Sequence, residues 1–533
     1  MRLHSLKELD SSEGTVLLHS EGDDSHLILH PAPNPNDPND PLRWPRWKKH
    51  VCFGAVCGFT FFTNYAIGGL SPAFYILSIE FDKTQTQTTA LLLWPVLTLG
   101  IFNFFWVPMA NYFGKRPIFV FASLLLSLAY LWGAVAQSFN SLLWSNIIAA
   151  FAGSSTEALG AAIVNDLYFL HERGSMLGIY MNAIAGGNTV GPLICGFVVT
   201  RLSWRWHKWM AFIFTAVNFV VVVLFCPETR YDRSEFGENP IPGPQRTESA
   251  GTSDEESGDA GPVEKVGSSD SKELTARHPA VHSAHIPKKT WRQELSLWSG
   301  ISKDTNLFML FIRPFPLIVY PAVIFAFLAY AVSLAWVLAI NILNAFVLQA
   351  PPYNWKADIN GLINIPGILG NLIGAWMGGW VVDRYSDWRS KKNAGVFQPE
   401  TRLHLLFIPA LIVPAGCLAF GYGVAESLHW TSLFIGYGMV AFGLTAVPVA
   451  TLTYVSDSYL PVNADALLLV NGLKNIVAFG FLYGVLPWVS EAGYVNAFGT
   501  QAGVYVLVML LAIPLAVFGQ RLRHITARWR IIL

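Results

Sequence analysis

Two ionisable residues in this 533-residue chain sit where charge is expensive. Glu157 lies in AGSSTEALGAA and Lys474 in NGLKN, each inside a long apolar run. A charge at the centre of a bilayer costs on the order of 3 kcal/mol or more, so each is a candidate functional site. A carboxylate among Ala, Gly and Ser has room beside it for water or a ligand, and it could exchange a proton or pair with a cationic substrate. The alternative is a glutamate that hydrogen-bonds neighbouring helices for packing. Lys474 shares one helical face with Asn471 and Asn475, at i, i+3 and i+4. That polar stripe must meet another helix or water. It serves either as structural glue, with Lys474 snorkelling to Asp457 or Asp465, or as part of a site.

Other polar residues interrupt the apolar runs: Asn64, Asn182, Asn188, Asn341, Asn344, Thr451 and Tyr454. Any one is more often an interhelical hydrogen bond than a ligand contact. Trp94, Trp106, Trp336 and Tyr330 could stack on a planar or cationic substrate, although interfacial belts and lipid contacts account for most aromatics of this kind. The substrate- or proton-binding candidates are therefore Glu157, Asn64, Asn182, Asn341, Asn344, Asn471, Lys474 and Tyr454. There is no GxxxxGK[ST], which argues against ATP as the energy source, and the histidines, such as His171 in HERG, lack ligand spacing on one helix face. No catalytic residue and no metal site is expected.

The elements that carry these residues follow from composition. The chain is 53% hydrophobic and 13% charged, and a run such as Val51 to Leu77 leaves no face for water. Backbone groups in hydrocarbon must be satisfied within the segment or in a closed barrel, and barrel strands would be short and alternating, so these are helices. Runs near 51–75, 87–110, 117–137, 140–165, 175–200, 207–226, 316–348, 358–382, 403–424, 429–455, 464–488 and 498–519 give an all-α membrane protein of about twelve spans, six and six. The five cysteines all lie inside these runs and read as small packing residues.

Formal net charge is zero and the basic residues flank helix ends, so no nucleic-acid partner is indicated. Most Lys and Arg fall on one side, while Lys83, Arg201, Arg205, Lys208 and Lys356 fall on the other. The positive-inside rule then places both termini in the cytoplasm. The expected organisation is a cytoplasmic disordered tail (1–49) without a removable signal peptide, a six-helix bundle (50–230), a cytoplasmic, largely disordered loop (231–312), a second bundle (313–520) and a cytoplasmic tail (521–533). Ser253 and Ser257 in the acidic loop are either phosphorylation sites or parts of a solvated charge run.

A weak internal repeat is placed as a six-plus-six layout requires. GWVVDRYSDWRSKK from Gly379 matches VPMANYFGKR from Val107, with Asp383 opposite Asn111 and Arg384 opposite Tyr112. Span five contains GNTVGPLICG, in which Gly187 and Gly191 share a face, Pro192 frees a carbonyl, and Gly196 closes the motif. Span eight offers Gly370, Gly374 and Gly378 at the same spacing. Close helix packing explains both stripes, and a direct substrate role is the alternative.

These motifs resemble those of a major facilitator superfamily transporter of the fungal twelve-span drug:proton antiporter type. GNTVGPLICG is similar to the family's GxxxGPxxGG, with Cys195 replacing a glycine, and NDPNDPLRWPRWKK, NDLYFLHERG, PETRYDR and RPFPLIVYPAV also resemble that group. Within it, the chain is most similar to a permease-like branch associated with polyamines and other cationic amines. The resemblance implies two pseudo-symmetric six-helix bundles, a monomer in the plasma membrane, no cofactor, and a proton gradient driving efflux of a drug, xenobiotic or secondary metabolite. An uptake permease for polyamines and a non-transporting nutrient sensor are alternatives. It also implies gating and helix-packing roles for Gly187, Gly191, Pro192, Gly196, Asn111, Lys115, Arg116, Asp383 and Arg384. Two departures stand out. The family's GxxxDRxGRK loop here has Val107, Asn111 and Tyr112 in place of Gly, Asp and Arg, while keeping Gly114, Lys115 and Arg116. Its buried span-four Arg corresponds to Asn146. The N-terminal half thus lacks charges that the family uses in proton coupling.

Overall fold

The computed structural model describes residues 15–18, 29–31, 33–34, 37–231, 287–296, 307–349, 353–459 and 462–527. Most of the expected central loop, including Ser253 and Ser257, lies outside the described residues. Among the described residues, eleven helical segments are long and apolar enough to cross a bilayer. We number them as spans one to ten: Arg46–Glu80, Gln85–Phe113, Lys115–Ala134, Phe139–Leu167, Leu170–Arg201, Trp204–Phe225, Pro321–Leu348, Ala357–Lys392, Pro399–Ala425 and Trp430–Ser458. The last segment is Asn463–Thr526, of 64 residues.

That segment is too long for one crossing, since 64 residues at about 1.5 Å each would reach about three times the bilayer core. It breaks at Gly493, whose φ of 78° is open to glycine without a Cβ clash. The Thr526 hydroxyl lies 3.4 Å from that of Tyr459, only four positions before the segment begins, so its two ends share one face. The chain therefore reverses at Gly493, and we number residues 463–492 span eleven and 494–526 span twelve.

Local signals set the helix ends. Thr84 and Gln87 form a capping box ahead of span two, and Ser138 accepts a hydrogen bond from the Ser141 amide at the start of span four. The glycine stripes act as close-approach surfaces. A Cβ on Gly187 or Gly191 would strike the backbone of span one at Phe61 and Tyr65, and one on Gly196 would strike Ala357 at the outer end of span eight. Gly370, Gly374 and Gly378 lie against the backbone of span ten at Gly438, Phe442 and Ala446. The packing explanation accounts for both stripes. Span eight also carries a π-helical turn, Met377–Val381, where two glycines adjoin.

The described parts of the N-terminal tail have fixed partners, which departs from the expectation of a disordered tail. Val16–Leu17 pairs antiparallel with Val396–Phe397 of the C-terminal half, and Leu18 clusters with Leu170 and Phe397. The backbone oxygen of His30 accepts from the Leu170 amide of the N-terminal half. Asp40 caps the turn Pro41–Arg43, and the Tyr231 hydroxyl donates to Asp37 at 3.1 Å while accepting from Asn34 at 3.0 Å. Burial, above all, raises the pKa of that phenol and keeps it a donor. At the other terminus, Arg523 is buried on a helix that runs to Ala527 and grips Glu400 through two bonds of 2.8 and 2.9 Å.

Candidate functional site

The small side chains of span four and the polar stripe of span eleven meet at one place. Lys474 Nζ lies 3.0 Å from Glu157 Oε2, and Asn475 Nδ2 donates to that same oxygen at 2.7 Å. The ammonium also donates to Asn475 Oδ1 at 3.2 Å and stands 4.6 Å from the ring centroid of Tyr330 on span seven. The Glu157 and Lys474 side chains are 3% and 1% exposed, so the pair is desolvated. Glu157 belongs to the N-terminal half and Lys474 to the C-terminal half. The carboxylate therefore joins the two bundles as well as satisfying its own charge.

The expected pairing of Lys474 with Asp457 or Asp465 is corrected. Asp457 is held by Arg173 and Arg402, and Asp465 by Arg313. Lys474 lies nine residues beyond Asp465, about 13 Å along a helix. It takes the nearer carboxylate, from the opposite half. Removing one member of a buried pair leaves an uncompensated charge at a cost of about 3–5 kcal/mol. A proton or a substrate charge arriving at Glu157 would act on that energy.

The other candidates are spread around this pair. Asn471 sits one turn before Lys474, its backbone oxygen accepting from Asn103 at 3.5 Å and its side-chain nitrogen without a partner among the described residues. Asn64 accepts from Asn188 at 3.2 Å and donates to the Thr60 oxygen at 2.9 Å, tying span one to span five. Asn341 accepts from the Tyr437 hydroxyl, which also lies 3.2 Å from Asn364, so spans seven, eight and ten share one polar node. Asn344 is buried, with neither side-chain polar atom paired among the described residues. Asn182 is partly exposed on span five and makes no side-chain hydrogen bond among the described residues. Tyr454 is separate from the Glu157 cluster. It lies near the end of span ten, its hydroxyl facing Gly519 of span twelve beside Glu400.

A second cross-half cluster closes the face that carries both termini. Asp383 pairs with Arg402 at 2.7 Å, Arg402 with Asp457 at 2.7 Å, and Asp457 with Arg173 of span five at 3.0 Å. The Ser175 amide and hydroxyl donate to Asp383 at 2.7 and 2.9 Å. A side chain at Gly174 would strike Asp383, so the glycine ending HERG admits this contact. Arg384 is exposed. In the matching loop of the N-terminal half, the hydrogen bonds and ion pairs among the described residues run to its own half. Lys115 pairs with Asp166, the Lys115 and Arg116 amides each donate to Glu228 at 3.1 Å, and the Arg116 guanidinium holds the Val223 oxygen at 2.8 Å. Asn111 makes no side-chain hydrogen bond among the described residues. At the opposite face, Gln349 of span seven donates to the Pro72 oxygen at 3.1 Å, so cross-half contacts close both ends.

Lys208 is the other correction. It was expected among the outer-face charges, yet it is fully buried, donating to Asn146 Oδ1 at 2.7 Å and to the Ala66 oxygen at 3.0 Å. Ala66 is in the last turn of the helix Arg46–Gly68, where carbonyls lack intrahelical partners and the dipole favours a cation. A buried ammonium thus stands beside Asn146, although span four itself carries no basic residue there. The aromatic-rich start of span six, WRWHKW, looks like an interfacial belt and hides this role. Arg173, Arg402 and Asp457 were missed as a group because their partners are distant in sequence.

Comparison with known proteins follows this geometry. Residues 54–464 match the family model described as the Major Facilitator Superfamily. The chain is 25% identical to an uncharacterized MFS-type transporter of Schizosaccharomyces pombe, covering 97% of this chain and 93% of that protein. It is 24% identical to Protein HOL1 of Saccharomyces cerevisiae over 95% of this chain and 92% of that one, and 24% identical to MFS antiporter QDR3 of Candida albicans over 80% and 72%. Among solved structures, the fold is similar to that of the proton:xylose symporter XylE, with a TM-score of 0.59, 13% identity and coverage of 91% of this chain and 100% of that one.

Proposed function

The chain belongs to the Major Facilitator Superfamily, a family of transporters and not of enzymes, and from that premise we propose that it exports a small organic compound in exchange for protons. The supporting observation is the Glu157–Lys474 pair, which joins the two halves through one desolvated carboxylate oxygen. With the pair intact and both faces closed, the bundles are held together. A proton on Glu157 removes the negative charge that holds Lys474, loosens the joint and lets the halves rock. A substrate that binds one state better than the other biases the equilibrium by that difference in affinity. The relative named as an antiporter, and another named as an ascochitine biosynthesis cluster transporter, agree with efflux of a metabolite.

A specific observation favours a second reading, the passage of a polyamine or other organic cation. Lys474 presents an ammonium to a carboxylate, an amide oxygen and an aromatic face at once. Those are the groups that would recognise a substrate ammonium, which would compete with Lys474 for Glu157. We place the protein as a monomer in the plasma membrane with both termini cytoplasmic, using protons and no cofactor.

The test is flux in sealed proteoliposomes with an imposed pH gradient, using spermidine and a fluorescent lipophilic cation as probes. Efflux that rises with the opposing proton gradient supports exchange. Flux indifferent to the gradient sinks it and leaves a uniporter, and binding without flux favours a sensor.

A further inference from the structure

At the face that carries both termini, three stretches of chain enclose a cavity of about 420 Å³. They are the approach to span one, the end of span six, and the segment Lys288–Leu295 ahead of span seven. Direct bonds hold them together: Asn39 donates to the Pro287 oxygen at 3.2 Å, the Lys289 amide donates to Asn39 at 2.9 Å, and Lys48 pairs with Glu294 at 2.7 Å.

The chemistry of the walls is two-sided. The rim carries Arg43, Lys48, Lys288 and Lys289 against one carboxylate, Glu294, which already serves Lys48. Lys288 and Lys289 are exposed, and neither forms a side-chain ion pair among the described residues. Lys288 and Lys289 thus bring two positive charges to this rim in a chain whose net charge is zero. The floor is Val51, Leu224 and Phe225, each partly open at the ends of spans one and six, where acyl chains would run. Trp47 and Trp291, 64% and 60% exposed, flank the opening as indoles do at a headgroup layer.

We propose that this cavity binds an anionic glycerophospholipid, its phosphate at Lys288 and Lys289 and its acyl chains over Val51, Leu224 and Phe225. A basic cluster beside a membrane helix end attracts anionic lipid at about 1 kcal/mol per Lys or Arg. The apolar floor favours a lipid over free phosphate. The bound lipid fastens the segment that leads into the second half onto the first half, adding to the Lys48–Glu294 pair.

The experiment titrates the purified full-length protein, in zwitterionic detergent, with dioctanoylphosphatidylserine, dioctanoylphosphatidylcholine or sodium phosphate, and reads thermal stability. Phosphatidylserine should stabilise saturably, and the other two should not. Lys288→Gln with Lys289→Gln should weaken phosphatidylserine by about 30-fold, as loss of two such charges implies. Lys288→Arg with Lys289→Arg should stay within about threefold of wild type, because the charge is kept. Equal stabilisation by phosphatidylcholine, equal stabilisation by inorganic phosphate, or full affinity in the Gln variant would each overturn the proposal.

Discussion

Two charged clusters cross between the halves, and they are built on opposite plans. At mid-bundle, one carboxylate oxygen of Glu157 accepts from both Lys474 and Asn475. At the face near the termini, two carboxylates, Asp383 and Asp457, share two guanidinium groups, Arg402 and Arg173, and Asp383 also takes two bonds from Ser175. The first arrangement hangs on one oxygen, so a change at that atom reaches both of its bonds. The second is redundant, so a single loss leaves other contacts in place. A sensitive joint at the centre and a graded one at the rim suit a carrier whose chemistry triggers its motion.

The largest break expected is at the centre. Glu157→Gln keeps an oxygen but removes the charge, and gradient-driven flux in proteoliposomes should fall at least ~100-fold, about 2.7 kcal/mol. Unchanged flux would remove Glu157 from the mechanism. Next is Asp457→Asn, which takes a shared carboxylate from two buried arginines and leaves Arg402 its bond to Asp383. It should shift the protein toward opening at that face by about 3 kcal/mol, read as faster labelling of a cysteine introduced at Ser175. Asp383→Asn should shift the same readout by about 1–2 kcal/mol, because Arg402 keeps Asp457. If Asp383→Asn exceeds Asp457→Asn, the redundancy is not as drawn.

A smaller effect is expected at Lys208. Lys208→Asn leaves the Ala66 oxygen and Asn146 short of a donor and should lower stability by about 1–3 kcal/mol. Adding Asn146→Lys in the same protein should recover part of that loss in thermal melting, because the ammonium then approaches from span four. No recovery would show that the position of the cation, and not its presence, matters. The smallest effect belongs to Asn111→Asp, expected to change melting by under about 0.5 kcal/mol, since Asn111 joins neither cluster.

Much of this was legible in the sequence. Apolar runs gave the helices, and the scarcity of charge in them singled out Glu157 and Lys474. Their partnership was not legible. They are 317 positions apart, and a helix periodicity reports which residues share a face, not which face meets which. Sequence proximity alone therefore points Lys474 toward acids of its own half. The placement of Tyr454 near the end of span ten was not legible for a related reason, since an apolar neighbourhood marks depth in a helix only coarsely. Lys208 was hidden because a lysine four positions into WRWHK reads equally as a surface residue or as a cap for another helix.

The short strand at Val16–Leu17 binds the C-terminal half, while His30 is fastened to the N-terminal half at Leu170. Eleven residues lie between Leu18 and His30, and the twelve steps give a contour length of about 40 Å when fully drawn out. The tail is therefore fastened to both halves at this face, so any separation of the two there must draw on the chain between those anchors.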